Sequence, residues 1–439
     1  MKILLVAPTA LDYRGKPIKQ RRLHLPCLTL AMLGSVTPKE YKIKAVLETV
    51  QDIPFNEHWD LVGLTGMGSG IVRAWEIADQ FREKGTKVVI GGIAASLGNP
   101  EWTLKHADSI VIGEAEETWG QVLSDAANDK LNKVYKMKRP PPIDQLPVPR
   151  YELMKRSKMG LWRPVQATRG CPFTCNFCSI TSFFSGAYRK KSIEQVVRDV
   201  QAAKKHGTKY IAFIDDNISI DYDYCANLWE ALIKEKIIWM SQSSLHISEH
   251  PELMKLAHRS GCRLLSFGIE STGEENLTQL DKEWNRPERY TRAFKALREN
   301  GIEISTEMII GLDNDDNSVF ERTFNFINSN KISVPRVHIL TPVPGTPLYE
   351  KMLIEGRMLS NDFSRFSGGK VVFAPRLLNS EELQDGYWNL YEKLFGWKSI
   401  LKRIVPNKAS LGPYMRAVVW AVNLHYRKHV HHRICPGIV

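Results

Sequence analysis

The stretch Gly170-Cys171-Pro172-Phe173-Thr174-Cys175-Asn176-Phe177-Cys178 follows a short apolar strand, Pro164–Thr168, and opens a long alternation of strand and helix signals. Three cysteines fall within eight residues here, while Cys27, Cys225, Cys262 and Cys435 lie far apart. In a chain without a secretory leader such a cluster points to a metal or catalytic centre, not to a disulfide framework. Thiolates are soft ligands, suited to zinc or to iron–sulfur. A structural zinc loop wants a fourth ligand, and none is close in sequence. Three cysteines would leave one iron of a 4Fe–4S cluster open, as catalytic metal sites keep a position open. On spacing alone both readings stand.

Working outward, strands are expected at Pro164–Thr168, Tyr210–Ile214, Ile238–Ser243, Leu264–Gly268, Glu303–Ile310 and Arg336–Leu340. The helices between them are punctuated: Ser192 with Gln195 as a capping box and Gly207 as its stop, Ser248 and Gly261 around the next, then Asn285 and Pro287 before a helix ending at Gly301. About six βα units predict a partial barrel with its site at the carboxyl ends of the strands. Upstream, Arg139–Arg150 carries five prolines and reads as a stiff, extended linker. Before it, strands at Lys2–Ala7, Ile43–Leu47, Leu61–Thr65, Lys87–Gly91 and Ser109–Ile112 alternate with helices at Thr29–Val36, Ile71–Lys84 and Thr118–Ala127. That pattern predicts a doubly wound parallel sheet covered on both faces. The fold class is therefore α/β: a doubly wound sheet over residues 1–138, a linker over 139–158, a partial (β/α)6 barrel over 159–350, and a helical basic region over 351–439.

Composition narrows the function. The 439 residues are 43% apolar and 25% charged, which suits a globular chain. No run of about 18 apolar residues occurs to span a membrane, and the apolar run in Met1–Lys16 is too short for a signal peptide. A cytoplasmic protein is expected. The net charge is +12, from 60 Lys and Arg against 48 Asp and Glu. Eight of those bases, and no acid, lie between Gly396 and Val439, which leaves 52 bases against 48 acids elsewhere. The basic character is a property of the tail, and nucleic acid is not an expected partner. Within the tail, Met415, Val418, Val419, Val422 and Tyr426 recur at helical spacing beside Trp420 and Arg427. A helix of that composition fits peripheral contact with an anionic membrane, or packing on the barrel. His429, His431 and His432 read as solvated.

The Cys-x3-Cys-x2-Cys spacing after the first strand of a βα series resembles the radical S-adenosylmethionine superfamily. Other landmarks fall in order. Phe177 sits where the family packs adenine. Asp215-Asp216-Asn217 takes the place of the motif that contacts the methionine amino group, in an acidic variant of its usual Gly-Gly-Glu. Glu270 and Ser271 close the fourth strand, where ribose or methionine is held, and Gly311 closes the fifth beside adenine. The resemblance implies that Cys171, Cys175 and Cys178 ligate a 4Fe–4S cluster whose open iron binds S-adenosylmethionine (SAM). Reductive cleavage of SAM then yields a 5′-deoxyadenosyl radical, fed by an electron donor such as flavodoxin or ferredoxin. For Asp215 and Asp216 the competing reading is that each caps the next helix.

With a doubly wound domain in front, nearly the whole chain is similar to the cobalamin-binding branch of that superfamily. Thr65, Gly66 and Met67, then Gly91, Gly92 and Ser96, then Gly113 and Glu114 fall on its cofactor-facing loops. Thr341–Tyr349, reading TPVPGTPLY, belongs to the same pattern. The Asp-x-His-x-x-Gly signature is absent, so cobalamin would lack a histidine beneath cobalt. The resemblance implies methyl transfer to an unactivated carbon of a hydrophobic, lipid-like or pigment-like small molecule. Radical cyclisation, rearrangement or oxidation is the alternative, and a non-catalytic iron–sulfur redox sensor the alternative of another class. A methylthiotransferase would need three further amino-terminal cysteines.

Overall fold

The computed structural model describes residues 1–407 and 412–437. Its first sheet consists of β1 (Lys2–Ala7), β2 (Lys42–Leu47), β3 (Leu61–Thr65), β4 (Lys87–Gly91), β5 (Ser109–Ile112) and β6 (Val134–Lys136), in the order β2-β1-β3-β4-β5-β6, all parallel. The strands are apolar on both faces because both are covered. Leu4, Val6, Val62 and Ile90 pack with Ile71, Ala74, Ile77 and Phe81 of the helix Gly70–Arg82. Ile3, Leu5, Val89 and Val111 face the helices Thr29–Val36 and Ala115–Ala127 on the other side. The chain runs outward from β1 in two directions, so the loops after β1 and β3 flank the switch-point crevice. The sequence reading missed β6, whose half-polar edge carries no period, and the short helices Ile93–Leu97 and Pro100–Leu104.

The second sheet begins with β7 (Arg163–Val165). The expected strand then breaks: β8 (Thr168–Arg169) pairs antiparallel with β9 (Arg189–Lys190) in a separate clamp. The sheet continues with β10 (Tyr210–Phe213), β11 (Ile238–Ser243), β12 (Cys262–Glu270), β13 (Glu303–Ile310) and β14 (Val334–Ile339). Neighbours follow chain order and are all parallel, which gives the open six-stranded barrel wall. The free edge of β14 is covered by the helix Ser380–Leu394, whose Tyr391 hydroxyl donates to the Val337 carbonyl (2.7 Å) and accepts from its N–H (2.9 Å). The helices Trp397–Ile404 and Pro413–His431 pack behind it. No helix among the described residues is long and apolar enough to cross a membrane.

Several local expectations change. The linker is not free: Ile143, Tyr151 and Met154 are buried, and Tyr151 donates to the Pro164 carbonyl at 2.7 Å. Ser192 does cap its helix, but the Gln195 amide turns away from the box and donates to the linker carbonyls of Ile143 and Leu146. Ser248 lies in a 3-10 turn, and its helix starts at Pro251. Asn285 ties to the Gly268 carbonyl (2.9 Å) and opens no helix. In the tail, Met415 and Val419 are buried, and Val418, Val422 and Tyr426 pack on the same core. That stripe faces the barrel, and His429 is buried with it.

Candidate active site

The cysteine loop leaves β8 through Gly170, at φ +88°, where a side chain would strike the Ala187 carbonyl. The loop is pinned at its centre: Asn176 donates through its amide group to the Gln279 carbonyl (2.7 Å), and its own carbonyl accepts from Leu348 (3.1 Å). All three thiols are free, Cys175 buried and Cys171 and Cys178 half-buried. Burial pushes the Cys175 thiol up to about 11, against the pull of Lys282, and raises Cys171 as well. Thiols held this way ionise when a metal takes the proton's place.

Below the loop, the acids after β10 bond backwards. Asp215 is buried and accepts from the Ala167 N–H, the Thr168 N–H and the Thr168 hydroxyl (2.6 Å). Burial nevertheless lifts its carboxyl to about 6. Asp216 accepts from Gly170 N–H at 2.9 Å, at the entry of the cysteine loop, and burial raises it too. Asn217 accepts from Ser219 and Ser244. None of the three caps the next helix, which starts at Tyr222 behind Asp221. Asp215 therefore braces the strand that leads into the cysteine loop, and Asn217 ties the end of β10 to the turn after β11. Asp216 is half-buried, and its charge adds to the burial that raises the Cys171 thiol.

At the end of β12 a register shift puts Glu270 at φ +59°, an uncommon conformation for a side-chain-bearing residue. Its carboxylate meets Lys282 at 2.6 Å, both fully within the protein. Burial works to lower the Lys282 ammonium, but Glu270 and then Cys175 hold it above its ordinary value. The ammonium also lies over the rings of Trp284 (4.9 Å) and Phe177 (6.0 Å). Lys282 was missed by sequence reasoning. Its role arises from packing, twelve residues after Glu270, and no local pattern announces it. Ser271 accepts from Gly273 N–H and starts the next turn. Gly311, at φ +87°, abuts Leu383 and Phe373 of the carboxyl-terminal region.

The facing rim of the first sheet is made of backbone. Gly66 N–H donates to the Gly91 carbonyl (2.7 Å), Ala94 N–H to the Gly66 carbonyl (3.1 Å), and Gly113 N–H to the Ser96 hydroxyl (3.0 Å). Gly92 sits at φ +97°, where a Cβ would lie 2.7 Å from the Gly66 carbonyl and 2.8 Å from the Thr65 hydroxyl. Met67 is the outlier, 73% exposed on the loop after β3 at the switch point. Glu114 turns elsewhere: it pairs with Arg169 and Arg189, and Glu116 joins Arg169 at 2.9 Å. These ion pairs, unforeseen in the sequence, bolt the first sheet to the residue just before Gly170. The TPVPG turn closes the other side, with Gly345 against the Leu97 carbonyl.

The contact of Ile93–Leu97 with Ser179–Phe184 and the Glu114–Arg169 ion pair set the glycine-lined loops of the first sheet beside the cysteine loop. The Radical SAM superfamily model matches residues 165–327. The chain is 30% identical over 386 residues to the bacteriochlorophyllide d C-12(1)-methyltransferase of Chlorobaculum tepidum, covering 86% of this chain and 84% of that one. It is 30% identical over 408 residues to the C-8(2)-methyltransferase of the same organism, covering 88% of each. Among solved structures, the radical SAM methyltransferase TsrM of Kitasatospora setae superposes with a TM-score of 0.70 at 15% identity, over 98% of this chain and 97% of that one. The chain belongs to the radical SAM enzymes, in the family that carries a cobalamin-binding domain and includes the bacteriochlorophyllide methyltransferases.

Proposed function

We propose that the protein methylates an unactivated carbon of a hydrophobic, pigment-like small molecule, with residues 1–138 as the cobalamin-binding unit, 139–158 as linker, 159–350 as the radical-generating barrel and 351–439 as its cover. The observation that carries this reading is the buried Lys282–Glu270 pair set against the cysteine loop. A thiolate-ligated cluster is net negative, and Glu270 keeps the Lys282 ammonium beside it charged and in place. Cys171, Cys175 and Cys178 would hold the cluster. Lys282 would receive the SAM carboxylate, Asp216 its amino group, and Phe177 its adenine. Glu270, engaged by Lys282, holds the ammonium in place. On the facing rim, Thr65, Gly66, Met67, Gly91, Gly92, Ser96 and Gly113 would cradle cobalamin, since their close backbone packing leaves a flat wall for a corrin. When bound, SAM on the cluster supplies a hydrogen-abstracting radical and cobalamin supplies the methyl group. The protein's own share is orientation and exclusion of water: the Glu114–Arg169 bolt and the Gly345–Leu97 contact fix the two rims.

Two partners complete the proposal. A flavodoxin- or ferredoxin-type donor would reduce the cluster. A peripheral membrane contact would use a different face from the stripe read in the sequence. Trp397 and Leu401 are exposed one turn apart on the helix Trp397–Ile404, Val405 is exposed just past its end, and Leu424 is exposed on the next helix. Lys398 and Lys402 flank them, and Arg427 lies 5.1 Å over the Trp397 ring. An apolar strip with an interfacial Trp and a basic border suits an anionic lipid surface. The catalytic reading is tested by anaerobic reconstitution: cobalamin retention, with 5′-deoxyadenosine and S-adenosylhomocysteine formed together, supports methylation. 5′-Deoxyadenosine alone, with a non-methylated product, would replace it by cyclisation or rearrangement.

A further inference from the structure

The two faces of the barrel wall differ. Towards the helices, Ile211, Trp239, Phe267, Ile304 and Val337 have no exposure at all. On the lumen face, Met240, Leu264 and Ile309 are only half-buried, and Gln242 is exposed although β11 is a central strand. A closed barrel fills its interior with side-chain layers. This one leaves its lumen open directly under the cysteine loop, because a Cβ on lumen-facing Gly268 would touch Glu270 and lie 2.9 Å from Lys282 Nζ.

Along the open wall, Met240 and Leu264 pair near the strand starts, the charged Glu307 and Arg336 lie further along, and Ile309 lies beyond them beside His338. Register places Gln242 beside Ser266, Gly268 beside Glu307, and Glu307 beside Arg336, so all face the same way. Arg336 pairs with Glu307 and donates to Ser266 at 3.0 Å, while its Nε–H finds no acceptor among the described residues. His338 is held at both nitrogens, by Glu307 at 3.1 Å and by the Cys435 sulfur at 3.6 Å. Burial would lower its imidazolium, but Cys435 and then Glu307 raise it to about 10, so it carries a proton. Arg336 and His338 therefore both bear on the Glu307 carboxylate. The tail seals this end: Tyr387 donates to Cys435 at 3.1 Å, and Gly437 packs so closely that a Cβ would lie 2.9 Å from Arg336 Cδ. About a quarter of the Glu307 and Arg336 side chains still faces open space.

We propose that this lumen wall is the substrate site, and that Arg336 with Gln242 receives a carboxylate borne by a flat apolar molecule lying on Met240 and Leu264. A mostly apolar pocket with a few converging polar groups is the usual form of such a site. His338 and Cys435 act as positioning residues, fixing Glu307 and hence the guanidinium plane. The proposal rests on the methylation reading for its substrate class, but binding tests it separately. Gln242 makes no side-chain hydrogen bond among the described residues, so Gln242→Glu adds a negative charge to the site without breaking a contact.

The test titrates the reconstituted enzyme with pheophorbide a, a chlorin with one free propionate, and with its methyl ester, following quenching of tryptophan emission. The acid is expected to bind at least about tenfold tighter than the ester, the order set by one charge-assisted hydrogen bond. Gln242→Glu and Arg336→Gln are each expected to bring that ratio close to unity while ester binding stays. Equal binding of acid and ester by the wild type, survival of the preference in both variants, or no binding of either probe would overturn the site. Cluster absorbance and SAM cleavage of the wild type, recorded on the same samples, report the catalytic reading. Their failure with the acid preference intact would sink that reading and leave this site standing.

Discussion

The two rims of the cleft hold their groups by opposite means. The first sheet's rim is backbone against backbone, its loops drawn together at Gly66, Gly91 and Gly92 with hardly a charged side chain turned inward. The barrel's rim is charge held inside the protein: Asp215 and the Glu270–Lys282 pair are buried, and Asp216 is half-buried beside them. The first arrangement discriminates by shape, which a large macrocycle rewards. The second stabilises a compact, charged cluster and a zwitterionic ligand, which shape alone would not hold. The lesson is that the rims should fail differently.

The largest failure is expected on the barrel side. Cys175→Ala should abolish the cluster's visible absorbance and reduce 5′-deoxyadenosine formation to background, while cobalamin binding by the first sheet persists. Joint loss of both would erase the distinction between the rims. Next, Lys282→Met leaves Glu270 buried and unpaired, and denaturation curves should show a loss of about 3–5 kcal/mol. The double variant Lys282→Met with Glu270→Gln should recover most of that stability without restoring SAM binding. If the single variant is neutral, the pair is not holding the rim. On the other rim, Gly92→Ala forces a Cβ at φ +97° towards two oxygens. A cost of about 1–3 kcal/mol is expected, read as cobalamin washed out in gel filtration with the cluster spectrum unchanged. The smallest effect lies outside the cleft. Leu401→Glu should lower co-sedimentation with anionic vesicles and leave activity on a dissolved substrate unaltered; equal sedimentation of both forms would remove the membrane contact.

What could be read in advance follows the same division. The cysteine loop was legible because its ligands sit within one turn of chain, and the glycine rim because tight turns need φ values that few residues adopt. The alternation of strands was legible because the first sheet is covered on both faces and its strands run apolar, while the barrel strands keep one apolar face under their helices. Asp215 was misplaced for a physical reason: an acid after a strand looks the same whether it faces a ligand, caps a helix or, as here, braces the strand before it. Lys282, Arg169 and Arg336 were invisible because each takes its meaning from a partner on another element. The tail stripe of Met415 and Val419 was real, but a helical apolar period says nothing about whether protein or lipid covers it.

The most direct test of the account is a single anaerobic incubation of the reconstituted, cobalamin-loaded enzyme with methyl-deuterated SAM, a reductant and a carboxylated chlorin, analysed by mass spectrometry. The account predicts 5′-deoxyadenosine, S-adenosylhomocysteine and a chlorin heavier by one labelled methyl group, none of them with Cys175→Ala. A chlorin altered without the label, alongside 5′-deoxyadenosine and no S-adenosylhomocysteine, would contradict it.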